Sequence, residues 1–251
     1  MRIVLFTVEN TDYVPSLLDA TLEKHGPNIV AAFVSRGPVR KWMRRTKFLL
    51  RNRYPFCIRP GDWLRYAQLR FAHRPHLPGS TLEYLQCRDV NAEPIAEIRS
   101  EETRQKLAAL EPDVFLFCPF DRIAGPKFLS IPKLGTFNVH LGKLPEYRGG
   151  LSAFWVLRWG DAEAGATVHE VTLELDAGKI VSEVRIPVTT PSMHELMLDT
   201  ARAAGPMVAD SLDRIRSGFV PINKAGRPEA YYALPAYEDF RAFYARGCRL
   251  I

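Results

Sequence analysis

Short apolar runs alternate with segments of helical period along most of the chain, and that alternation restricts the fold more than any other feature. Residues 2–8, 28–34 and 113–118 are nearly continuous apolar stretches of strand length, as strands buried on both faces require. Between them, one helix is expected from Thr11 or Asp12 to about His25, and another over residues 101–110 with Ser100 as its cap. Residues 94–98 and Gly135–His140 read as further strands, and Ser152–Trp159 as a short helix. Residues 166–173 and 179–188 follow each other across one short turn, which suits an antiparallel pair. Thr190 and Pro191 open a long amphipathic helix whose stripe includes Met193, Leu196, Met197, Ala204, Val208, Leu212 and Ile215, read as core-facing. The expected class is α/β, a Rossmann-like, mostly parallel sheet with an antiparallel part and helices on both faces.

The 251 residues suffice for one domain at residues 1–190, with 191–251 as a helical extension packed on it. Apolar runs stay well short of the roughly 18–20 residues a membrane helix needs. The four cysteines are scattered, with no C-x-x-C pair, which points to a reducing, cytoplasmic setting and gives no reason to propose a metal. Charge is uneven. Residues 36–74 hold twelve Lys and Arg and one acid, Asp62, although the whole chain carries only +6. This stretch reads as a basic, aromatic insertion at about 36–78 with helices near 39–53 and 61–73. Its Arg44 and Arg45 suit an acceptor phosphate, its interleaved aromatics equally suit core or homodimer packing, and an anionic membrane surface or RNA remains a third reading.

Chemistry concentrates at the end of the strand Gly135–His140. Asn138 and His140 are two residues apart and so project from one face, where an amide and an imidazole can together stabilise an oxyanion. Asp176 lies in the turn between the two later strands, and a carboxylate beside an imidazole fixes its tautomer and favours its charged form. Strand ends are where such sheets place their sites. No G-x-S-x-G elbow supplies a nucleophile, so direct attack by a substrate amine is simpler than a covalent intermediate. His169, on a strand, reads as structural, and Tyr147 and Arg148 as loop anchors.

The string Asn138-Val-His-Leu-Gly-Lys-Leu-Pro-Glu-Tyr-Arg-Gly149 resembles the signature Asn-x-His-x-Ser-Leu-Leu-Pro-x-Tyr-Arg-Gly of folate-dependent formyltransferases. Gly160-Asp, Gly165-Ala-Thr-Val-His169 and Leu175-Asp-Ala-Gly178 are similar to that family's later motifs, and Pro112-Asp-Val-Phe-Leu116 and Pro132-Lys-Leu-Gly135 to its earlier ones. The resemblance implies 10-formyltetrahydrofolate as co-substrate and Asn138, His140 and Asp176 as the catalytic set. It implies pterin contacts in the loops bearing Cys118, Phe120, Arg122, Ile123, Leu173, Glu174 and Gly178, and acceptor contacts at Gly142 and Lys143. Gly142 and Lys143 replace the usual Ser and Leu, and Ala177 the usual Thr. The residues after the last matched strand read as helices, unlike the C-terminal barrel of methionyl-tRNA enzymes. The loop Thr7-Val-Glu-Asn-Thr-Asp12 lacks the glycines of a phosphate loop. A stand-alone N-formyltransferase acting on a small-molecule amine follows, with a nucleotide-linked amino sugar or a specialised-metabolite amine in view and nucleic acid disfavoured. Folate hydrolysis, methionyl-tRNA-type formylation and an inactive anion- or RNA-binding homologue are the competing readings.

Overall fold

A computed structural model of the chain describes residues 1–35, 59–71, 79–224 and 227–251. In chain order the elements are β1 (Ile3–Val8), α1 (Val14–His25), β2 (Ile29–Ser35), α2 (Pro60–Phe71), α3 (Thr81–Gln86), β3 (Ala92–Ile95), α4 (Glu101–Ala109), β4 (Val114–Phe117), α5 (Pro126–Leu129), β5 (Gly135–His140), β6 (Arg148–Gly149), α6 (Ser152–Trp159), β7 (Glu163–Glu170), β8 (Ile180–Pro187), α7 (Met193–Arg216), β9 (Tyr231–Tyr232) and α8 (Tyr237–Ala245). Seven strands form one sheet in the order β3-β2-β1-β4-β5-β7-β8. The first five run parallel, β7 pairs antiparallel with β5, and β8 antiparallel with β7.

Alternation along the strands divides the core between the two faces of the sheet. Ile3, Leu5, Phe137 and Val139 pack with Leu17 of α1 and Leu212 of α7. Val4, Phe6, Phe115 and Phe117 pack on the other face with Leu107 of α4 and Phe128 of α5. Helices therefore cover both faces. The close approach of α1 to α7 depends on Gly205, where an added Cβ would stand 2.7 Å from the Ser16 carbonyl oxygen. A third cluster joins Phe154 and Trp155 of α6 to Leu196 of α7 and Phe240, Phe243 and Tyr244 of α8. Among the described residues no helix is long and apolar enough to cross a membrane.

Several element boundaries differ from those read in the sequence. The strand expected at 166–173 is Glu163–Glu170: the Glu170 N–H donates to the Lys179 carbonyl, closing the hairpin, and Val171 turns to bond Thr136, so residues 171–179 leave the sheet. The strand expected at 94–98 is Ala92–Ile95, an edge strand that tolerates Pro94. Neither Thr11 nor Asp12 caps α1. The Asn10 side chain accepts the backbone N–H of Asp12 and Tyr13 instead. For α7 the cap is Ser192, which accepts from the Glu195 backbone. Helix α3, capped by Ser80, was not anticipated, nor was the two-residue pairing of β6 with β9. The helix expected at 61–73 is Pro60–Phe71, held at its start by Tyr244, whose hydroxyl donates to buried Asp62 at 2.9 Å. The helix expected at 39–53, with Arg44 and Arg45, lies outside the described residues.

Candidate active site

The loop after β5 is built on backbone that few side chains tolerate. Gly149 has φ of 96°, and a Cβ there would stand 2.2 Å from the Tyr232 carbonyl oxygen. That geometry lets β6 lie against β9 and aims the Gly149 N–H at Asp176 Oδ2, 2.9 Å away. Asp176 itself sits at φ 51°, a left-handed position that Asp accepts better than most residues. Arg148 holds the same turn by donating to the Leu175 carbonyl, at 2.7 and 3.1 Å, and to Glu174 Oε1 at 2.6 Å. Gly178 closes it from the far side, where a Cβ would stand 1.8 Å from the Glu170 carbonyl oxygen. The carboxylate is therefore held at the end of β5 by the contacts that close its turn and by its own bond from the Gly149 N–H.

Asn138 and His140 reach the same place from β5. His140 Nε2 lies 2.7 Å from the Tyr147 carbonyl oxygen, which can only accept, so Nε2 carries a proton and Nδ1 faces Asp176 Oδ2 at 3.8 Å. That separation is an ion-pair distance, longer than a hydrogen bond. The third participant is His169. Its Nδ1 lies 2.9 Å from the Glu170 carbonyl oxygen and so donates, leaving Nε2 to accept from the Asn138 amide at 3.1 Å. The Asn138 NH₂ is thereby oriented with one hydrogen committed and the other available to the cleft. His169 Nε2 is also 3.6 Å from Asp176 Oδ1, so all four side chains form one network.

Burial, and next the His140 charge, push His169 down to about 4, against the opposing pull of Asp176 and the Glu170 carbonyl. It is neutral at physiological pH. In an unfolded chain a histidine titrates near roughly 6.5. Between about 6.5 and about 4 the unfolded chain binds the additional proton, so this residue makes stability fall as pH falls through that window. Urea midpoints measured from pH 7 to pH 4 should decline less steeply for His169→Gln than for the parent.

A cleft of about 590 Å³ opens over this network. Asn138, His140, Asp176 and His169 line it, as do Phe120, Arg122, Ile123, Leu173 and Glu174 from the loops after β4 and β7. Arg122 Nη2 is buried with no hydrogen-bond partner among the described residues, while its Nε donates to Ser35 Oγ. Other sequence-predicted residues lie elsewhere. Cys118 is fully buried in the core, with its carbonyl bonded by the Thr7 hydroxyl, and burial pushes its thiol up. Lys143 is buried and turned to Asp161 at 3.4 Å and toward the Tyr147 ring, away from the cleft, because the loop's chain path puts its side chain under β7. Gly142 backs the His140 ring. A Cβ there would meet Ser152 Oγ at 2.4 Å and His140 Nε2 at 2.6 Å. Ser152 Oγ occupies that space and lies 3.3 Å from His140 Nε2. Gly142→Ala should therefore displace the imidazole and lower turnover by about 10- to 100-fold with little loss of folate affinity, and Ser152→Gly in the same chain should restore part of it. Steady-state kinetics on the two variants checks this.

Sequence reasoning missed part of the wall. Tyr13, Leu151, Ser152 and Tyr231 line the cleft, and so do Met193, Met197 and Thr200 from the first turns of α7. The stripe read as core is core at Leu196, which packs with α6 and α8, and from Ala201 onward, while Met193 and Met197 are partly exposed and line the cleft.

A family model described as formyl transferase matches residues 70–208, more than half of the chain. The chain belongs to this family. It is 29% identical over 140 residues to a methionyl-tRNA formyltransferase of Thermotoga maritima, covering 54% of this chain and 44% of that one. It is 31% identical over 138 residues to the Bacillus licheniformis enzyme of the same name, covering 55% and 44%. The match thus spans less than half the length of these relatives. Its fold is that of an N-formyltransferase from Helicobacter canadensis solved with folinic acid and dTDP-3-aminofucose, with a TM-score of 0.62, 17% identity and coverage of 97% of this chain and 81% of that one. It is also that of glycinamide ribonucleotide transformylase 1 from Symbiobacterium toebii, with a TM-score of 0.62, 15% identity and coverage of 89% and 92%.

Proposed function

We propose that this formyl transferase family member is an N-formyltransferase that moves the formyl group of 10-formyltetrahydrofolate onto a small-molecule amine. One observation carries the reading: an amide, an imidazole and a carboxylate converge at the end of β5, inside a cleft, with the amide's orientation set by a neutral histidine. Formyl folates are named with the fold neighbours from Helicobacter canadensis and with a sugar 3N-formyl transferase, which supports the donor. The folate side of the cleft fits such a group. Phe117, Phe120 and Ile123 offer apolar walls for a pterin, and the buried Arg122 Nη2 is an unused donor.

Bound there, the folate supplies a formyl carbon attached to a good leaving nitrogen. The free hydrogen of the Asn138 amide donates to the formyl oxygen as negative charge develops on it, and His140, when Nδ1 is protonated as well as Nε2 beside the Asp176 carboxylate, supplies a second donor. Asp176 accepts the proton that the amine nitrogen loses as its lone pair bonds the formyl carbon. Asp176 gives that proton to the departing folate nitrogen as the old carbon–nitrogen bond breaks, so charge and atoms balance. A nucleotide-linked amino sugar is the preferred acceptor, because dTDP-3-aminofucose is named with a fold neighbour that covers nearly the whole chain.

The test is calorimetric binding of 5-formyltetrahydrofolate, followed by tetrahydrofolate release from the 10-formyl compound with and without amines. Binding with amine-dependent release supports the reading. Equal release without amine makes the protein a hydrolase, and the absence of folate binding removes the proposal altogether.

A further inference from the structure

Residues 147–150 present their backbone groups to alternate sides, as a strand does. Toward the site, the Tyr147 carbonyl accepts from His140 Nε2 at 2.7 Å, and the Gly149 N–H donates to Asp176 Oδ2 at 2.9 Å. Away from it, the Arg148 and Gly150 N–H groups donate to the Ala230 and Tyr232 carbonyls at 2.9 and 3.2 Å. The two anchors of the site are thus two residues apart on one short strand. Their spacing bears directly on the 3.8 Å between His140 Nδ1 and Asp176 Oδ2, and the partner along the strand's other edge is β9.

Three kinds of contact fix β9 in turn. Arg227 donates to Glu183 Oε2 of β8 at 3.2 Å, and the Ala230 N–H donates to the Pro145 carbonyl at 3.3 Å. The Tyr232 ring lies against Tyr147, at 5.3 Å and 20°, and against Trp155, at 4.8 Å and 31°. The Tyr147 hydroxyl donates to Asp161 at 2.7 Å, so the ring on which Tyr232 stacks is itself pinned. This stack grips the residue whose carbonyl holds His140. The Tyr232 hydroxyl accepts from the Trp159 indole and takes no part in that grip. β6 and β9 form a sheet of their own, apart from the seven main strands, so loosening them leaves the main sheet intact.

We propose that Tyr232 is a positioning residue for the transfer reaction: its stack on Tyr147 keeps β9 in register with residues 147–150, and so keeps the His140 imidazole and the Asp176 carboxylate at working distance. This rests on the formyltransferase reading above and deepens it by a residue that does not line the cleft. A shift of about 1 Å in a catalytic group is enough to cost about 10²-fold in rate.

Two readouts on Tyr232→Ala test it. In protein with isotope-labelled histidines, the His140 Nε2 proton should exchange with water at least about tenfold faster than in the parent, because its acceptor is no longer held. With 10-formyltetrahydrofolate and dTDP-3-aminofucose, kcat should fall about 10- to 100-fold while the folate KM stays within about threefold. Tyr232→Phe, which keeps the stack, should match the parent in both. Leu85→Ala, a truncation in the core beside Leu17 and Ile29, should lower the urea midpoint yet leave both readouts at parent values. Tyr232→Leu keeps bulk without the ring and carries the same expectation if the alanine variant does not fold. Parent-like exchange and kcat in Tyr232→Ala overturn the proposal, as do a His140 proton already unprotected in the parent and an equal kcat loss in Leu85→Ala. A parent that releases no tetrahydrofolate strikes the formyltransferase reading instead, and the His140 proton still decides the role of Tyr232.

Discussion

Asp176→Asn is expected to lower kcat for formyl transfer by about 10²–10⁴-fold while leaving the fold and folate affinity in place. The substituted amide keeps the shape of the carboxylate, and its oxygen can still accept the Gly149 N–H, so the turn held by Arg148 and Gly178 stays closed. What disappears is the negative charge facing His140 Nδ1 at 3.8 Å and, among the described residues lining the cleft, the carboxylate placed beside Asn138 and His140 to take the amine's proton. Glu174, the other acid in the cleft, is committed to Arg148 and largely exposed. Circular dichroism and 5-formyltetrahydrofolate binding should match the parent, which separates loss of chemistry from loss of structure. Activity within tenfold of the parent would remove Asp176 from the catalytic set, and with it the proton path described above.

Much of this site was legible in the sequence because its geometry is local or strand-encoded. Asn138 and His140 share a face through the two-residue period of a strand, and Asp176 sits in a turn between adjacent strands, so short-range rules place all three near one sheet end. What escaped depends on long-range packing. His169 looked structural on its strand, and only the pairing of Asn138 with His169 across β5 and β7 puts its Nε2 against the amide. Met193 and Met197 carry the same helical period as the core residues that follow them. Nothing in the period tells which turns of α7 border the cleft. Lys143 differs in the opposite sense: its position in a signature loop suggested an acceptor contact, and long-range packing buries its side chain against Asp161 and Tyr147. Strand ends were misplaced where apolar residues continue past the last backbone pair, as Val171 does when it leaves β7 for the face of the sheet.

Phe243→Ala is expected to cost about 3–5 kcal/mol, the range for truncating a fully buried aromatic side chain. Phe243 has no exposed surface, and its ring stacks on Phe154 at 4.6 Å with an interplanar angle of 12°. The cluster it completes joins α6, the start of α7 and α8, and includes Tyr147. That last member links stability to the proposed chemistry, because the Tyr147 carbonyl holds His140 Nε2, and the Tyr147 ring stacks on Tyr232 of β9, the strand paired with β6. If residues 191–251 were a separately folding extension, the variant would unfold in two steps and keep a working site in the first. The shared cluster predicts instead one cooperative transition, lowered by roughly 6–20 °C, with activity lost in the same step as near-ultraviolet ellipticity. An activity loss well below the unfolding transition, or a second transition at the parent's temperature, would show that α8 is dispensable to the site.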